Sequence, residues 1–167
     1  LSLHSSLKVS SEKLIEGFCI EMNIDYIIAR IFNMYGGDDK FSVISKVINA
    51  SLLKKTLHLV NNGVSVRDYI HINDVVDVFI KSIKSEESWG FNINVATGIK
   101  TSVGELIELI CKLHEEDVIV KYSGSTEGDI NGIYAENLLM RDIFNKQDLI
   151  LLKDGLKDML TKVKSKN

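Results

Sequence analysis

Short apolar runs of strand length alternate with stretches of helical periodicity along this chain, and that alternation constrains the fold more than any other feature. Leu7, Leu14, Ile15, Phe18 and Met22 recur at helical spacing across residues 6–22, with Ser5 or Ser6 placed to cap the helix and Asn23 to end it. DYIIARIF, residues 25–32, is short, apolar and rich in isoleucine, the pattern of a buried strand. NMYGGDDK then reads as a loop. Val43, Ile44, Val47 and Ile48 begin a second helix that fades near Lys54 and Lys55. Residues 57–60 form a short strand, and NNG is a turn. Residues 68–72 alternate as a strand does.

Asn73 then stands as an N-cap, with Asp74 in the first turn favouring the helix dipole. Val75, Val76, Phe79, Ile80 and Ile83 form the apolar face of that helix. FNINVAT, residues 91–97, is another strand. Ser102 and Glu105 make a capping box for a helix with Val103, Leu106, Ile107, Ile110 and Leu113 inward. A strand over residues 118–122, the Gly-rich loop SGSTEGD, a weak helix near 136–144 and a last helix near 153–164 follow. Alternating helices and strands define the class as α/β.

A complete dinucleotide-binding α/β fold opens on a strand, a G-x-G-x-x-G turn and a helix. This chain of 167 residues opens inside a helix and has no such glycine pattern. The expectation is the second half of a larger fold. Net charge is −3 with the signs interspersed, which gives no footprint for nucleic acid. No apolar run approaches the ~18 residues of a membrane span, and no secretory leader pattern is visible. Cys19 and Cys111 sit singly on apolar helix faces, the usage of a reducing compartment, so the expected location is cytoplasmic. His4, His58, His71 and His114 lack metal-site spacing, the Asp38-Asp39 pair lacks the rest of a calcium loop, and no G-x-S-x-G elbow occurs. Neither a metal site nor a serine hydrolase is expected.

Four stretches, in order, resemble the extended short-chain dehydrogenase/reductase family, in particular its NAD-dependent nucleotide-sugar epimerases and dehydratases of the UDP-glucose 4-epimerase type. LHSSLKVSSEKLIEGF resembles the Tyr-x-x-x-Lys helix with its downstream Glu-Lys. RIFNMYGG resembles Arg-Pro-Phe-Asn-x-Tyr-Gly-Pro. GVSVRDYIHIND resembles Gly-x-x-x-Arg-Asp-(Tyr/Phe)-(Ile/Val)-His-(Ile/Val)-x-Asp. FNINVATGIKTSVGELI resembles the Asn-(Ile/Val)-Gly-x-Gly-x-x-x-Ser segment, and TEGDINGIYAEN is a weaker likeness of an Arg-x-Gly-Asp segment. Together they cover residues 3–137. The resemblance implies the C-terminal, substrate-binding part of an extended Rossmann-type fold, with a glycine-motif half lying outside this sequence. Residues 1–35 would be the end of the Rossmann-type core and 36–167 the substrate-binding region.

The same resemblance implies the chemistry. Relatives oxidise a sugar transiently: bound NAD takes a hydride while a Tyr phenolate takes the hydroxyl proton, and a Lys four residues on lowers the Tyr pKa and holds the nicotinamide ribose. Lys8 matches that Lys; the Tyr position is His4, and Leu7 stands where a Ser is usual. His4 reads as an imidazole base, as the mark of a non-catalytic homologue that binds nucleotide sugars or dimerises, or as a residue at a truncation edge. Phe32 matches the residue beside the nicotinamide. Asn33, Leu57, His58, Leu59 and Arg67 match substrate-binding positions, Arg67 reaching the diphosphate with its planar fork. Arg67 paired with Asp68 or a surface acid is the alternative. Thr126 and Asp129 match the closing diphosphate loop, with Thr126 where an Arg is usual. His71 reads as a structural histidine at a strand end. The partners implied are a UDP-sugar and a second copy of the chain, joined through the 6–22 helix. This chain alone, without the rest of the NAD pocket, is expected to be inactive.

Overall fold

The computed structural model of the chain describes residues 3–86, 89–124 and 132–165. The helices are α1 (Leu3–Met22), α2 (Val43–Leu52), α3 (Ile72–Lys84), α4 (Val103–His114), α5 (Leu138–Ile143) and α6 (Leu152–Lys164). The strands are β1 (Ile28–Ile31), β2 (Asn33–Tyr35), β3 (Leu57–Leu59), β4 (Val66–Arg67), β5 (Tyr69–His71), β6 (Asn92–Val95), β7 (Thr101–Ser102), β8 (Val120–Tyr122) and β9 (Gly132–Ile133). Three two-stranded pairings among the described residues are parallel: β1 with β6, β2 with β5, and β3 with β8. β4 lies between β7, antiparallel to it, and β9, parallel to it. This is the α/β architecture with helical crossovers that the alternation predicts.

β5 divides the interior. Successive strand residues face opposite ways, so Tyr69 joins one core and Ile70 the other. The first core gathers Tyr35, Ile44, Val47, Ile48, Leu57, Leu106, Ile110 and Leu156, from α2, α4, α6 and the strands they cover. The second gathers Ile70, Val75, Val78, Ile93, Val95, Met140 and Phe144, from α3, α5, β6 and the segment after α5. Each fully buried aliphatic side chain contributes about 1.5–3 kcal/mol relative to exposure. The capping box of α4 forms as read: Ser102 Oγ accepts from the Glu105 N–H (3.1 Å), and Glu105 Oε2 accepts from the Ser102 N–H (2.7 Å).

Two local expectations are corrected. Residues 33–35, read as loop, are strand β2. The Asn33 N–H donates to the Asp68 carbonyl (3.0 Å), so pairing with a distant strand overrides the turn-forming sequence. The N-cap of α3 is His71 rather than Asn73; its Nδ1 accepts from the Asn73 N–H at 3.2 Å. The apolar face of α1 and the outer part of that of α3 are exposed, while Val75 and Val78 of α3 sit in the second core. Leu14 is 74% exposed and Ile83 77%, and Phe18, Val76, Phe79 and Ile80 are exposed as well. Only Cys19 of α1 is buried. Nothing in the described chain covers these faces.

Two anchors matter for the site. Arg30 of β1 holds Glu12 of α1 with a two-pronged contact, Nε to Oε1 at 2.9 Å and Nη2 to Oε2 at 2.5 Å. Asp74, buried in α3, accepts from the Ile150 N–H (2.9 Å) and pairs with Lys146 (3.0 Å), which fixes the segment between α5 and α6.

Candidate functional site

The strand over residues 28–35 changes partner at Phe32. Up to Ile31 it pairs with β6, with Ile31 opposite Val95. From Asn33 it pairs with β5, with Asn33 opposite Tyr69. At the fork the Phe32 N–H donates to the Val95 carbonyl at 3.1 Å. Parallel α/β sheets open a crevice at such a point, at the carboxyl ends of the strands.

A cavity of about 330 Å³ lies beside this fork. Asn33, Met34 and Tyr35 of β2 line it, with Ser42, Val43 and Ile44 at the start of α2. Leu59, Arg67, Tyr69 and Val103 close the other sides. The volume falls in the usual range of small-molecule sites, about 300–1,000 Å³. A larger groove of about 560 Å³ runs past Lys54, Cys111, Lys112 and Glu115–Asp117. It lies away from the strand ends, and the Lys54–Glu116 ion pair (3.4 Å) borders it, so the cavity beside the fork is the better candidate.

Two features make the cavity favourable for an anion. Half-buried Arg67 contributes a guanidinium, whose Nη1 donates to the Val66 carbonyl at 2.9 Å. The N–H groups at the start of α2 contribute the positive end of a helix dipole. Ser42 caps that helix, its Oγ accepting from the Ser45 N–H at 3.2 Å. Asp39 opposes these two. Burial raises its pKa, but hydrogen bonds from Ser42, Ser45 and the Phe41 N–H outweigh that and hold it below the ordinary value, so it stays charged. Burial pushes the Tyr69 phenol up to about 12, with Arg67 acting in the opposite sense, so its hydroxyl is neutral. That hydroxyl is buried without a hydrogen-bond partner. The remaining walls, Met34, Val43, Ile44, Leu59 and Val103, suit an apolar, planar group.

Of the residues singled out from sequence, Asn33, Leu59 and Arg67 meet in this cavity. Leu57 belongs to the first core and His58 is exposed on β3; neither lines the cavity. His4 and Lys8 are exposed on α1, one turn apart on the same face. Phe32 is half-buried at the fork. None of these three lines the cavity. Thr126 and Asp129 lie outside the described residues. Among the described residues no group of three His, Cys, Asp or Glu is arranged to hold a metal ion, and no helix is long and apolar enough to cross a membrane. Sequence reasoning missed Tyr69 and the start of α2. The serine directly before the apolar period at Val43 was the available signal for the second.

Comparison with known proteins bears on this geometry. A family model described as the NAD dependent epimerase/dehydratase family matches residues 1–96. A UDP-glucose 4-epimerase of Rhizobium leguminosarum bv. trifolii is 33% identical over 84 residues, 49% of this chain and 26% of that protein. The crystal structure of UDP-glucose 4-epimerase from Thermotoga maritima, with UDP-glucose, superposes with a TM-score of 0.88 at 23% identity, over 95% of this chain and 52% of that one. UDP-N-acetylglucosamine 4-epimerase from Methanobrevibacter ruminantium, in complex with UDP-N-acetylmuramic acid, gives a TM-score of 0.87 at 28% identity, over 97% and 53%. The chain spans about half the length of the curated relatives it matches.

Proposed function

Because the chain belongs to the NAD dependent epimerase/dehydratase family, within the extended short-chain dehydrogenase/reductases, we propose that it is the nucleotide-sugar-binding portion of an enzyme of the UDP-sugar 4-epimerase type. The observation that carries this reading is the cavity beside the Phe32 fork, where Asn33, Leu59 and Arg67 converge with the start of α2. Arg67 and the helix terminus hold the diphosphate, Asn33 supplies a donor and an acceptor to the sugar or phosphate, and the apolar walls take the nucleoside. Leu57 and His58 shape the strand beside the nucleotide, and Thr126 and Asp129 belong to the loop that closes over the phosphates.

In the whole protein, bound NAD supplies hydride acceptance from the sugar ring. Lys8 and Phe32 are this chain's contribution to holding it, and the rest of that pocket belongs to sequence outside this chain. His4, at the position of the usual Tyr, holds or moves the hydroxyl proton with its imidazole. The alternative is a non-catalytic homologue that binds a nucleotide sugar or dimerises, and the replacement of Tyr by His4 is the observation that favours it. A second copy of the chain pairs through α1, and the location is cytoplasmic.

Thermal melting with UDP and with NAD, added separately, tests the reading. UDP at millimolar concentration raises the melting temperature and NAD does not. Arg67→Gln abolishes the rise with UDP and leaves the unliganded melting temperature within about 2 °C, as a half-exposed polar substitution does. A rise with NAD alone, or no rise with UDP, overturns it.

A further inference from the structure

The Asp68 carboxylate is fully buried one residue after Arg67. It accepts hydrogen bonds from the Thr97 N–H (2.9 Å), the Thr97 hydroxyl (2.6 Å), the Gly98 N–H (2.8 Å) and the Ala135 N–H (3.5 Å). A buried carboxylate persists only where its lone pairs are filled. Here neutral donors fill them, and all come from two segments.

Those two segments are continuous with the two strands beside Arg67. Gly98 precedes β7 by three residues, and β7 pairs with β4 so that Thr101 lies opposite Arg67. Ala135 follows β9 by two residues, and β9 pairs with β4 so that Ile133 lies opposite Arg67. Each of these three strands is only two residues long. A ladder that short does little to specify its own register, and a slip of one residue turns a side chain to the opposite face. The direction in which Arg67 points therefore depends on a constraint outside the ladder. The carboxylate of the next residue grips the continuations of both neighbouring strands at once.

We propose that Asp68 is the positioning residue for Arg67: its carboxylate sets the register of β7 and β9 against β4 and so aims the guanidinium into the cavity. Asp68 does not line the cavity. The proposal rests on the reading of that cavity as a nucleotide-diphosphate site. It differs from a plain staple, whose loss would weaken the whole fold without selecting for phosphate.

Asp68→Asn is nearly isosteric but sets an NH₂ against main-chain donors. Thr97→Val removes only the hydroxyl donor and keeps the main-chain contacts, so it is the variant least at risk of unfolding. Amide hydrogen exchange without ligand is the first readout. In both variants exchange of the β4, β7 and β9 amides rises at least about tenfold, while Val47 and Ile93 in the two cores keep their protection. Titration with UDP and with uridine is the second. Asp68→Asn weakens UDP by about tenfold or more and leaves uridine unchanged. Combined with Arg67→Gln, it costs no more than about twofold beyond Arg67→Gln alone, because both changes remove one interaction. Unchanged exchange in the three strands overturns the proposal. So does a double variant whose loss of UDP affinity is the product of the two single losses. If the unmodified chain does not bind UDP, the cavity reading fails, and the exchange data alone decide whether Asp68 sets the register.

Discussion

His71 sits in a space with no slack. The Tyr35 ring meets it edge-on, with centroids 5.2 Å apart, and a Cβ at Gly36 would lie 2.8 Å from its Nε2. Its Nδ1 accepts the Asn73 N–H, so the neutral ring carries its proton on Nε2, which is buried without a partner. Burial holds its pKa below the ordinary 6.5, against Asp74 and Asp158, which raise it, and with Lys162, which lowers it. A histidine with a depressed folded pKa gives stability that is present above its unfolded value and is lost as pH falls through the folded one. The melting temperature therefore falls from pH 7 toward pH 5. His71→Asn, which keeps a capping acceptor, flattens that slope in melts across the same range; an unchanged slope contradicts the assignment. Gly155 of α6 faces the same cluster. Replacing a helix glycine with alanine ordinarily gains up to ~1 kcal/mol. Here the added Cβ would lie 2.8 Å from the Tyr35 ring and 2.9 Å from His71, both buried, so overpacking at about 1–3 kcal/mol wins. Denaturant unfolding of Gly155→Ala shows a net loss. The sequence marked His71 as structural but not as a cap, because Asn73 is the stronger local candidate and only the folded strand brings the imidazole round to its N–H.

At the level of elements, legibility followed length. The helices carry periodicity, and the box at Ser102 and Glu105 is written locally, so α4 was readable to its first residue. β4, β7 and β9 have two residues each and no period to read; they exist because β4 meets partners 34 to 36 and 66 positions away, Thr101 to Ser102 and Gly132 to Ile133. β2 was hidden for a related reason, since its pairing with β5 is non-local. Of the site, Asn33, Leu59 and Arg67 were legible through the family motifs, whereas Tyr69 and the start of α2 needed the cavity itself. The far end of α4 offers a test of local energetics. Glu115 ends that helix at φ 59°, a left-handed conformation that favours glycine. Glu115→Gly gains about 0.5–1 kcal/mol in chemical denaturation, the conformational strain relieved being larger than the chain entropy added. A loss of stability would mean that the Glu115 side chain does more than cap.

The whole molecule presents apolar helix surface, on α1 and the outer part of α3, that the described chain leaves uncovered, and it spans about half the length of its curated relatives. On the proposed function, the chain binds the part of a nucleotide sugar that its own strands reach, and these residues alone do not hold NAD against the sugar. With UDP-glucose and NAD supplied together, the isolated chain yields no UDP-galactose in a coupled assay, and turnover would contradict that division. The cavity at the Phe32 fork is the proposed nucleotide-diphosphate site, and an amide NMR titration with UDP reads its occupancy residue by residue. Shifts concentrate at Asn33, Met34, Leu59, Arg67 and Tyr69 and saturate together. Shifts confined to the groove by Lys54 and Glu116, or none at millimolar UDP, would contradict that assignment.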